Sequence, residues 1–216
     1  VRQSAVGLNF IDIYERTGLY GGALPTGLGR EAAGVVEAIG PGVRDLKAGD
    51  RVAYASPAPG AYADERVLSA ASLVPVPEGV SERLAAAALL KGMTAHVLLR
   101  RTYKVRKGTV VVVHAAAGGV GSILVQWALH LGAQVIAVVG SDAKAATVRT
   151  MGCRDILIQG RDDLAARVKE LSGGQGAHVV YDSVGKDTFF ASLDSLRPLG
   201  LMVTYGNASG PVPPVA

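Results

Sequence analysis

Apolar and polar residues follow a regular rhythm along the second half of the chain. Residues 110–113 are an unbroken β-branched run, which is typical of a strand buried on both faces of a sheet. Residues 120–131 carry apolar side chains at helical spacing, and Gly132 marks the end of that helix. Five strands joined by crossover helices indicate an α/β fold with a parallel, doubly wound sheet. The further strands are predicted at 135–139, 156–158, 178–182 and 201–205, and the further helices at 143–151, 162–171 and 187–196.

The pattern before residue 93 is different. Short strand-like runs at 34–39 and 50–54 are separated by turn signals at 40–42 and 57–60, which favours a mostly β domain. Apolar residues at 81–101 then recur three and four positions apart, which predicts a helix between the two halves. We therefore predict a mostly β domain at 1–92 and an α/β domain at 93–216.

A glycine-rich turn lies between the first strand and the first helix of the α/β domain. It is a G-x-G-x-x-G fingerprint with Ala116 in the first glycine position. Ala116 has to turn tightly, Gly118 has to let the backbone approach a pyrophosphate, and Gly121 has to let the helix pack against the strand. The first amides of the helix, those of Gly119 and Val120 included, would hold the phosphate. The sequence therefore predicts a Rossmann-type dinucleotide site here.

The end of the second strand indicates which dinucleotide is bound. An NAD-binding site needs an acid at this place to hold the ribose 2′-hydroxyl, whereas Gly140 and Ser141 stand here. A 2′-phosphate would meet no repulsion, and Lys144 is close enough in sequence to reach it, so the pattern favours NADPH. Two alternatives stay open: Lys144 is an ordinary solvated lysine, or Asp142 turns inward and takes the role of the acid.

Composition and charge narrow the classes of partner. Of 216 residues, 49% are apolar and 19% charged, with a net charge of +4 from scattered basic residues. This suits a small anionic ligand and argues against a nucleic-acid surface. Cys153 is the single cysteine, which excludes an intrachain disulfide and a Cys-rich zinc site. Without a long apolar run or a leader we expect a cytoplasmic protein, and since the chain starts within a predicted strand, we expect a fragment.

Several segments together resemble a known family, the zinc-free quinone oxidoreductase (zeta-crystallin-like) branch of the medium-chain dehydrogenase/reductase superfamily. The resemblance implies a GroES-like catalytic domain, incomplete at its N-terminal strands, joined to a Rossmann domain that lacks its C-terminal part. The segments that carry it are GLNFID at 7–12, GREAAG at 29–34, AGDRV at 48–52, KGMTA at 91–95, HAAAGGVG at 114–121 and VYDSVG at 180–185.

The resemblance also implies that no metal is bound. Alcohol dehydrogenases of the superfamily hold a catalytic zinc with Cys and His at three places, where this chain has Asn9, Arg30 and Lys91. A zinc site needs three or four converging N, S or O ligands, and none of these substitutes serves well. We therefore expect chemistry without a zinc-bound alkoxide.

Further site residues are implied by the same resemblance. NADPH-specific members of the family often carry a tyrosine beside the 2′-phosphate, and Gln159 stands in that place here, which weakens the NADPH assignment without reversing it. The implied catalytic residues are Asn9, Asp12, Tyr14 and Tyr20, with Thr94 near the nicotinamide, and the implied cofactor-lining residues are Ser183, Tyr205 and Asn207.

The function implied is hydride transfer from NADPH to a quinone in a cleft between the two domains. Such acceptors are already electrophilic, so the protein mainly aligns the ring and the acceptor, and Tyr14 or Tyr20 donates a hydrogen bond or relays a proton. The alternatives are an enone or enoyl reductase on the same fold, and a non-catalytic crystallin-like protein that binds NADPH or RNA. The resemblance also implies a homodimer of the full-length protein.

Overall fold

A computed structural model describes residues 1–56 and 58–215. Pro57, in the predicted turn at 57–60, and Ala216, the last residue of the predicted second domain, lie outside the described residues. The chain divides into two compact units, Val1–Met93 and Thr94–Ala216. The boundary lies within one helix, Glu82–His96, so each unit contains part of it.

The first unit is built on a four-stranded antiparallel sheet in the order β1-β2-β3-β4. Small alanines on β2 and β3 let the first part of the helix Glu82–His96 pack against one face, while Tyr54 fills the other face with Ala32 and Ala61. A short helix, α1, follows the first strand. The elements are β1 (Arg2–Gly7), α1 (Phe10–Arg16), β2 (Glu31–Val35), β3 (Arg51–Ala55), β4 (Val74–Pro75) and α2 (Glu82–His96).

The second strand differs from the sequence-based expectation. The strand predicted at 34–39 lies at Glu31–Val35, because pairing with β1 extends towards the buried Ala32 and Ala33. Gly34 marks the closest approach of the two strands, since a Cβ there would lie 2.1 Å from the Arg2 carbonyl oxygen. Pairing with β1 ends at Val35, opposite Arg2, the first residue of β1. Val36 still forms backbone hydrogen bonds with Asp50 and Gly49.

The second unit is a five-stranded parallel sheet in the order β7-β6-β5-β8-β9. Together with the antiparallel sheet of the first unit, it confirms the predicted α/β fold. The elements are β5 (Val110–Val113), α3 (Gly119–His130), β6 (Gln134–Val139), α4 (Asp142–Thr150), β7 (Asp155–Ile158), α5 (Leu164–Leu171), β8 (Ala177–Asp182), α6 (Phe189–Asp194) and β9 (Leu196–Thr204).

Side chains of the central strand alternate between two apolar cores. Val111 and Val113 pack in the cluster that contains residues of α3 and α4, and Val110 and Val112 pack with residues of α5. A strand sends successive side chains to opposite faces, so an all-valine strand has to be covered on both. The prediction of a sheet buried on both faces is therefore confirmed.

Two helix ends differ from the pattern. The helix predicted at 187–196 ends as α6 at Asp194, and Leu196 already pairs with Ala177 as the first residue of β9. Pro198 explains the change, because a proline ends a helix before it and is tolerated on an edge strand. The helix predicted at 81–101 is α2, followed by a π-helical turn at Val97–Thr102. None of the helices within the described residues has both the length and the apolar character needed to span a bilayer.

Candidate functional site

The carboxyl ends of the five parallel strands of the second unit carry most of the predicted cofactor residues. Because all five strands run in the same direction, the loops that follow them lie along one edge of the sheet. Open α/β sheets bind ligands at this edge. The segments that follow the strands contain residues 114–118 and the first turn of α3 after β5, Gly140 and Ser141 after β6, Gln159 after β7, Ser183 after β8, and Tyr205 and Asn207 after β9.

The glycine-rich turn has the geometry of a phosphate cradle. Gly118 is the N-cap of α3 and provides no side-chain cap, so the amides of Gly119, Val120 and Gly121 are first-turn donors that the helix itself does not satisfy. Gly118 and Gly119 are exposed, whereas Ala116 is fully buried beneath the turn. Val120 is half-buried and Gly121 is buried. The first-turn donors and the positive end of α3 fit a dinucleotide phosphate.

Gly121 is required by packing. A Cβ on Gly121 would lie 2.3 Å from the carbonyl oxygen of Ala115 and 2.8 Å from Cα of Ala116, both of which are backbone atoms. By contrast, a Cβ on Gly140 would meet nothing within 4 Å. The close approach of α3 to the turn after β5 therefore requires glycine at position 121.

The N-terminus of α4 holds the residues that the sequence associates with a 2′-phosphate. Ser141 is the N-cap, and its Oγ accepts a hydrogen bond from the Lys144 amide at 3.4 Å. Lys144 and Asp142 are both exposed in the first turn. Asp142 is ion-paired with Arg161, a residue that the sequence analysis missed, through contacts of 3.3 Å from both terminal guanidinium nitrogens. The sequence signal for Arg161 as a site residue was its position, two residues beyond Gln159.

The loops after β8 and β9 lie side by side. The Tyr205 amide donates to the Asp182 carbonyl at 2.9 Å, and the Ala208 amide donates to the Ser183 carbonyl at 3.1 Å. Tyr205 and Asn207 are half-buried, and Gln159 is exposed. The backbone of Gln159 donates to Val139 at 2.9 Å, which joins the end of β7 to the end of β6.

A buried polar network, also missed from sequence, supports the loop after β8. The Asp182 carboxylate accepts from the hydroxyls of Thr188 at 2.7 Å and Ser192 at 3.1 Å, and from the Val184 and Gly185 amides. Ser192 Oγ also lies 2.9 Å from Nε2 of His114. Burial lowers the pKa of His114, an effect that the negative charge of Asp182 partly opposes. The imidazole is therefore neutral, and the network fixes the loop that carries Ser183.

The first unit contains a second polar cluster, centred on Glu31. This carboxylate is fully buried at the start of β2 and accepts from Asn9 Nδ2 at 2.8 Å, from the Leu90 amide at 2.7 Å and from Lys91 Nζ at 3.1 Å. Two of the three residues that replace zinc ligands in this chain, Asn9 and Lys91, therefore bind one carboxylate. The cluster ties α1 and α2 to the sheet.

Asp12 lies in α1, one turn beyond Asn9. Its Oδ2 accepts from the Asn9 amide at 2.9 Å and from the Tyr62 hydroxyl at 2.7 Å. Burial and the hydrogen bond to Asp12 raise the pKa of Tyr62, with the charge of Glu31 contributing further. Asp12 Oδ1 is buried and has no hydrogen-bond partner within the described part of the chain. Tyr62 was missed because nothing local in sequence connects it to Asp12.

The remaining predicted catalytic residues fall into two groups. Tyr14 is buried in α1, and its ring lies 5.1 Å from the ring of Tyr20, which is 43% exposed. Thr94 lies in α2 at the first position of the second unit and is half-buried. The structure therefore brings Asn9, Asp12, Tyr14 and Tyr20 together on or beside α1.

Two of the three positions at which the resemblance implies zinc ligands in alcohol dehydrogenases, Arg30 and Lys91, hold cationic side chains. Arg30 Nε donates to Glu15 at 2.7 Å, and the ammonium of Lys91 is paired with Glu31. Across residues 1–56 and 58–215, no group of three or more His, Cys, Asp or Glu side chains is arranged to hold a metal. The residues present therefore do not fit a catalytic zinc.

Comparison with known families covers both units. Residues 1–78 match the alcohol dehydrogenase GroES-like domain, and residues 119–215 match the family described as zinc-binding dehydrogenase. A quinone oxidoreductase of Pseudomonas aeruginosa is 51% identical over 98% of this chain and 66% of its own length. A 2-haloacrylate reductase of a Burkholderia species is 47% identical over 100% of this chain and 66% of its own length.

A solved structure agrees with these matches. The Escherichia coli quinone oxidoreductase in complex with NADPH is 47% identical, with a TM-score of 0.97 over 100% of this chain and 67% of that chain. The chain spans just under two thirds of the curated relatives it matches, 66% of the first. Identity near one half and the shared fold of both units confirm the resemblance. The chain belongs to the quinone oxidoreductase branch of the medium-chain dehydrogenase/reductase superfamily.

Proposed function

We propose that this protein is an NADPH-dependent oxidoreductase that reduces quinones without a metal ion. The observation that carries the proposal is the glycine turn before α3, where first-turn amides that the helix does not satisfy stand at the carboxyl edge of a parallel sheet. The NADPH-bound relative with 47% identity supports the choice of ligand. Bound NADPH would supply a hydride from its nicotinamide ring.

The second unit binds and orients the dinucleotide. The amides of Gly119, Val120 and Gly121 hold the pyrophosphate, and Ser141 and Lys144 hold the 2′-phosphate. Ser183, Tyr205 and Asn207 line the remaining length of the edge. The network of Asp182, Thr188, Ser192 and His114 keeps the loop after β8 in one conformation, because each buried polar group in it would otherwise lose a partner.

The first unit supplies polar groups for the acceptor. Tyr20 presents a hydroxyl from a partly exposed ring that packs on Tyr14, so it can donate a hydrogen bond to the oxygen on which charge develops. Asp12 Oδ1 is an acceptor without a partner in the described residues, beside the Tyr62 hydroxyl that holds Oδ2. Asn9 and Asp12 are kept in place by the cluster around Glu31.

The proposed mechanism uses no metal because of the chemistry of the side chains at the expected zinc positions. Zinc prefers thiolate, imidazole and carboxylate ligands. Arg30 and Lys91 are cations that would repel Zn²⁺, and both are already paired with carboxylates. Quinones are electrophilic enough to accept a hydride once they are aligned with the donor ring and a hydrogen-bond donor.

An acceptor panel tests the proposal. NADPH oxidation is followed by the loss of nicotinamide absorbance with para-benzoquinone, cyclohexenone and 2-chloroacrylate, before and after dialysis against EDTA. We expect the quinone to be the best acceptor, with no loss of rate after dialysis. A chelator-sensitive rate that zinc restores would overturn the metal-free mechanism.

A second candidate function is reduction of an activated carbon–carbon double bond. The 2-haloacrylate reductase, 47% identical over the whole chain, is the observation that favours it. Faster turnover of 2-chloroacrylate or cyclohexenone than of the quinone would establish this function in place of the first. Tyr20→Phe is the matched variant in either case, and an unchanged rate would remove Tyr20 from the mechanism.

A further inference from the structure

We infer that Arg161 is the residue that selects NADPH over NADH, and that Asp142 holds it ready when no dinucleotide is bound. The inference rests on the proposed function and adds a specificity-determining residue to it. Neither Arg161 nor its pairing is part of the G-x-G-x-x-G fingerprint, and the observations that carry it are all within the second unit.

The first observation is the position of the ion pair. Asp142 is the first residue of α4, directly after Ser141, and Ser141 stands about 20 residues beyond the glycine turn, where the ribose 2′ position is recognised in Rossmann sites. Arg161 follows β7, whose end is joined to the end of β6 by the hydrogen bond from Gln159 to Val139. The guanidinium therefore reaches the N-terminus of α4 from the neighbouring loop.

The second observation is the geometry of the pair. Arg161 Nη1 lies 3.3 Å from both carboxylate oxygens of Asp142, and Nη2 lies 3.3 Å from Oδ1. The planar guanidinium fork thus already holds an oxyanion at this place. A phosphate monoester offers the same fork-compatible oxygens with more negative charge, so it is the stronger partner for the same donors.

The third observation is that the pair is easily exchanged. The two side chains are 60% and 81% exposed. Exposed ion pairs contribute little to stability, because water screens the attraction and two long side chains lose rotamer freedom. Arg161 can therefore leave Asp142 for a 2′-phosphate with little change in folding stability. The attraction between the guanidinium and the phosphate then contributes to binding of the dinucleotide.

Neighbouring charges are consistent with this exchange. Asp162 accepts from the Ile158 amide at 2.6 Å, and Asp163 caps α5 by accepting from the Ala166 amide at 3.1 Å. These two acids are therefore engaged by backbone donors, whereas Asp142 is the acid that faces Arg161. Lys144, in the first turn of the same helix, adds a second cation.

The pairing also bears on the alternative in which Asp142 takes the role of the acid. An acid at this position favours NADH when it is free to bind the ribose hydroxyls. Here its carboxylate is neutralised by Arg161, which removes the acid's advantage and supplies a phosphate donor.

The experiment is a titration of the 216-residue chain with NADPH and with NADH, in which nicotinamide fluorescence reports binding. We expect Arg161→Gln to weaken NADPH binding by about tenfold or more while NADH binding stays nearly constant, because a charged hydrogen-bond donor to phosphate is lost. Asp142→Asn should tighten NADPH binding by removing the internal competitor. Arg167→Gln is the matched control, since Arg167 is an exposed arginine paired with Glu170 on α5, and it should change neither affinity.

The outcomes separate this inference from the proposed function. If wild-type protein prefers NADPH and Arg161→Gln keeps the same ratio of affinities, Arg161 is not the selector and the inference is overturned. Equal wild-type affinities for the two dinucleotides overturn it as well. If the folded wild-type chain binds neither, the proposed function itself is wrong.

Discussion

Lys91 Nζ lies 3.1 Å from Oε2 of Glu31, a carboxylate with no exposed surface. The same carboxylate also accepts from the Asn9 amide group and the Leu90 backbone, so α1 and α2 share one buried anchor. Two of the three positions at which the resemblance implies zinc ligands in alcohol dehydrogenases, Asn9 and Lys91, therefore bind a carboxylate here. A buried pair of this kind is costly to break on one side only.

Lys91→Met is expected to lower the free energy of unfolding by about 3 kcal/mol, because Glu31 then stays buried without its cation. Urea unfolding followed by circular dichroism measures the change. The surface pair Arg2–Glu37 has the same 3.1 Å separation with both side chains more than half exposed, so Arg2→Gln is the control. It should cost less than about 1 kcal/mol, and equal effects of the two substitutions would show that burial does not govern the Lys91 pair.

Gly121→Ala is expected to abolish NADPH binding by the glycine turn. The new Cβ would lie 2.3 Å from the Ala115 carbonyl oxygen, so the turn and the first amides of α3 have to move. Gly40→Ala, in the turn at 40–42 of the first unit, serves as the control, since no atom lies within 4 Å of the added Cβ. Calorimetric titration of both variants with NADPH checks this, and retained affinity in Gly121→Ala would show that those amides do not bind the phosphate.

Acid is expected to destabilise the second unit through His114. Burial lowers the pKa of His114 below the ordinary value of 6.5, so the unfolded state binds the proton more tightly than the folded state does. This contribution is constant above about pH 6.5 and falls as the pH drops below that value. Urea midpoints measured across this range should decline less steeply in His114→Gln.

Burial, and then the charge of Arg197, also lower the pKa of His178. Part of the decline of the urea midpoint with falling pH should therefore persist in His114→Gln. If the urea midpoint of His114→Gln declined with falling pH as steeply as that of the wild type, a group other than His114 would cause the loss of stability in acid.

Cys153 is expected to be unreactive in the native protein. The thiol is 2% exposed, and burial raises its pKa to about 11, so little thiolate forms at neutral pH. Labelling with a chromogenic disulfide reagent should be slow in buffer and immediate in denaturant. Fast labelling of folded protein would show that the packing of Cys153 between β6 and β7 opens readily.

Local pattern was enough to predict the second unit. The all-valine strand 110–113 requires cover on both faces, and the glycine spacing at 116–121 requires a strand before it and a helix after it, so the sheet and the turn follow from short segments. The candidates at 116–121 and at 140–141 follow from the same logic, whereas Gln159, Ser183, Tyr205 and Asn207 were implied by the family resemblance. Their individual roles, like the homodimer implied by the resemblance, stay predictions.

The pairings that define the sites did not follow from the sequence. Tyr62 and Asp12 are 50 residues apart, and Lys91 and Glu31 are 60 apart. Such contacts depend on strand register and on where α1 begins, and the register of β2 was itself displaced from the predicted strand. Arg161 was missed because its role depends on a neighbouring loop, not on its own segment.

The central claim is that the glycine turn before α3 binds NADPH. Calorimetric titration of the wild-type chain with NADPH, with folding verified by circular dichroism, tests it most directly. We expect saturable binding of one dinucleotide per chain that disappears in Gly121→Ala and persists in Gly40→Ala. Folded wild-type protein that gives no saturable binding would contradict the claim.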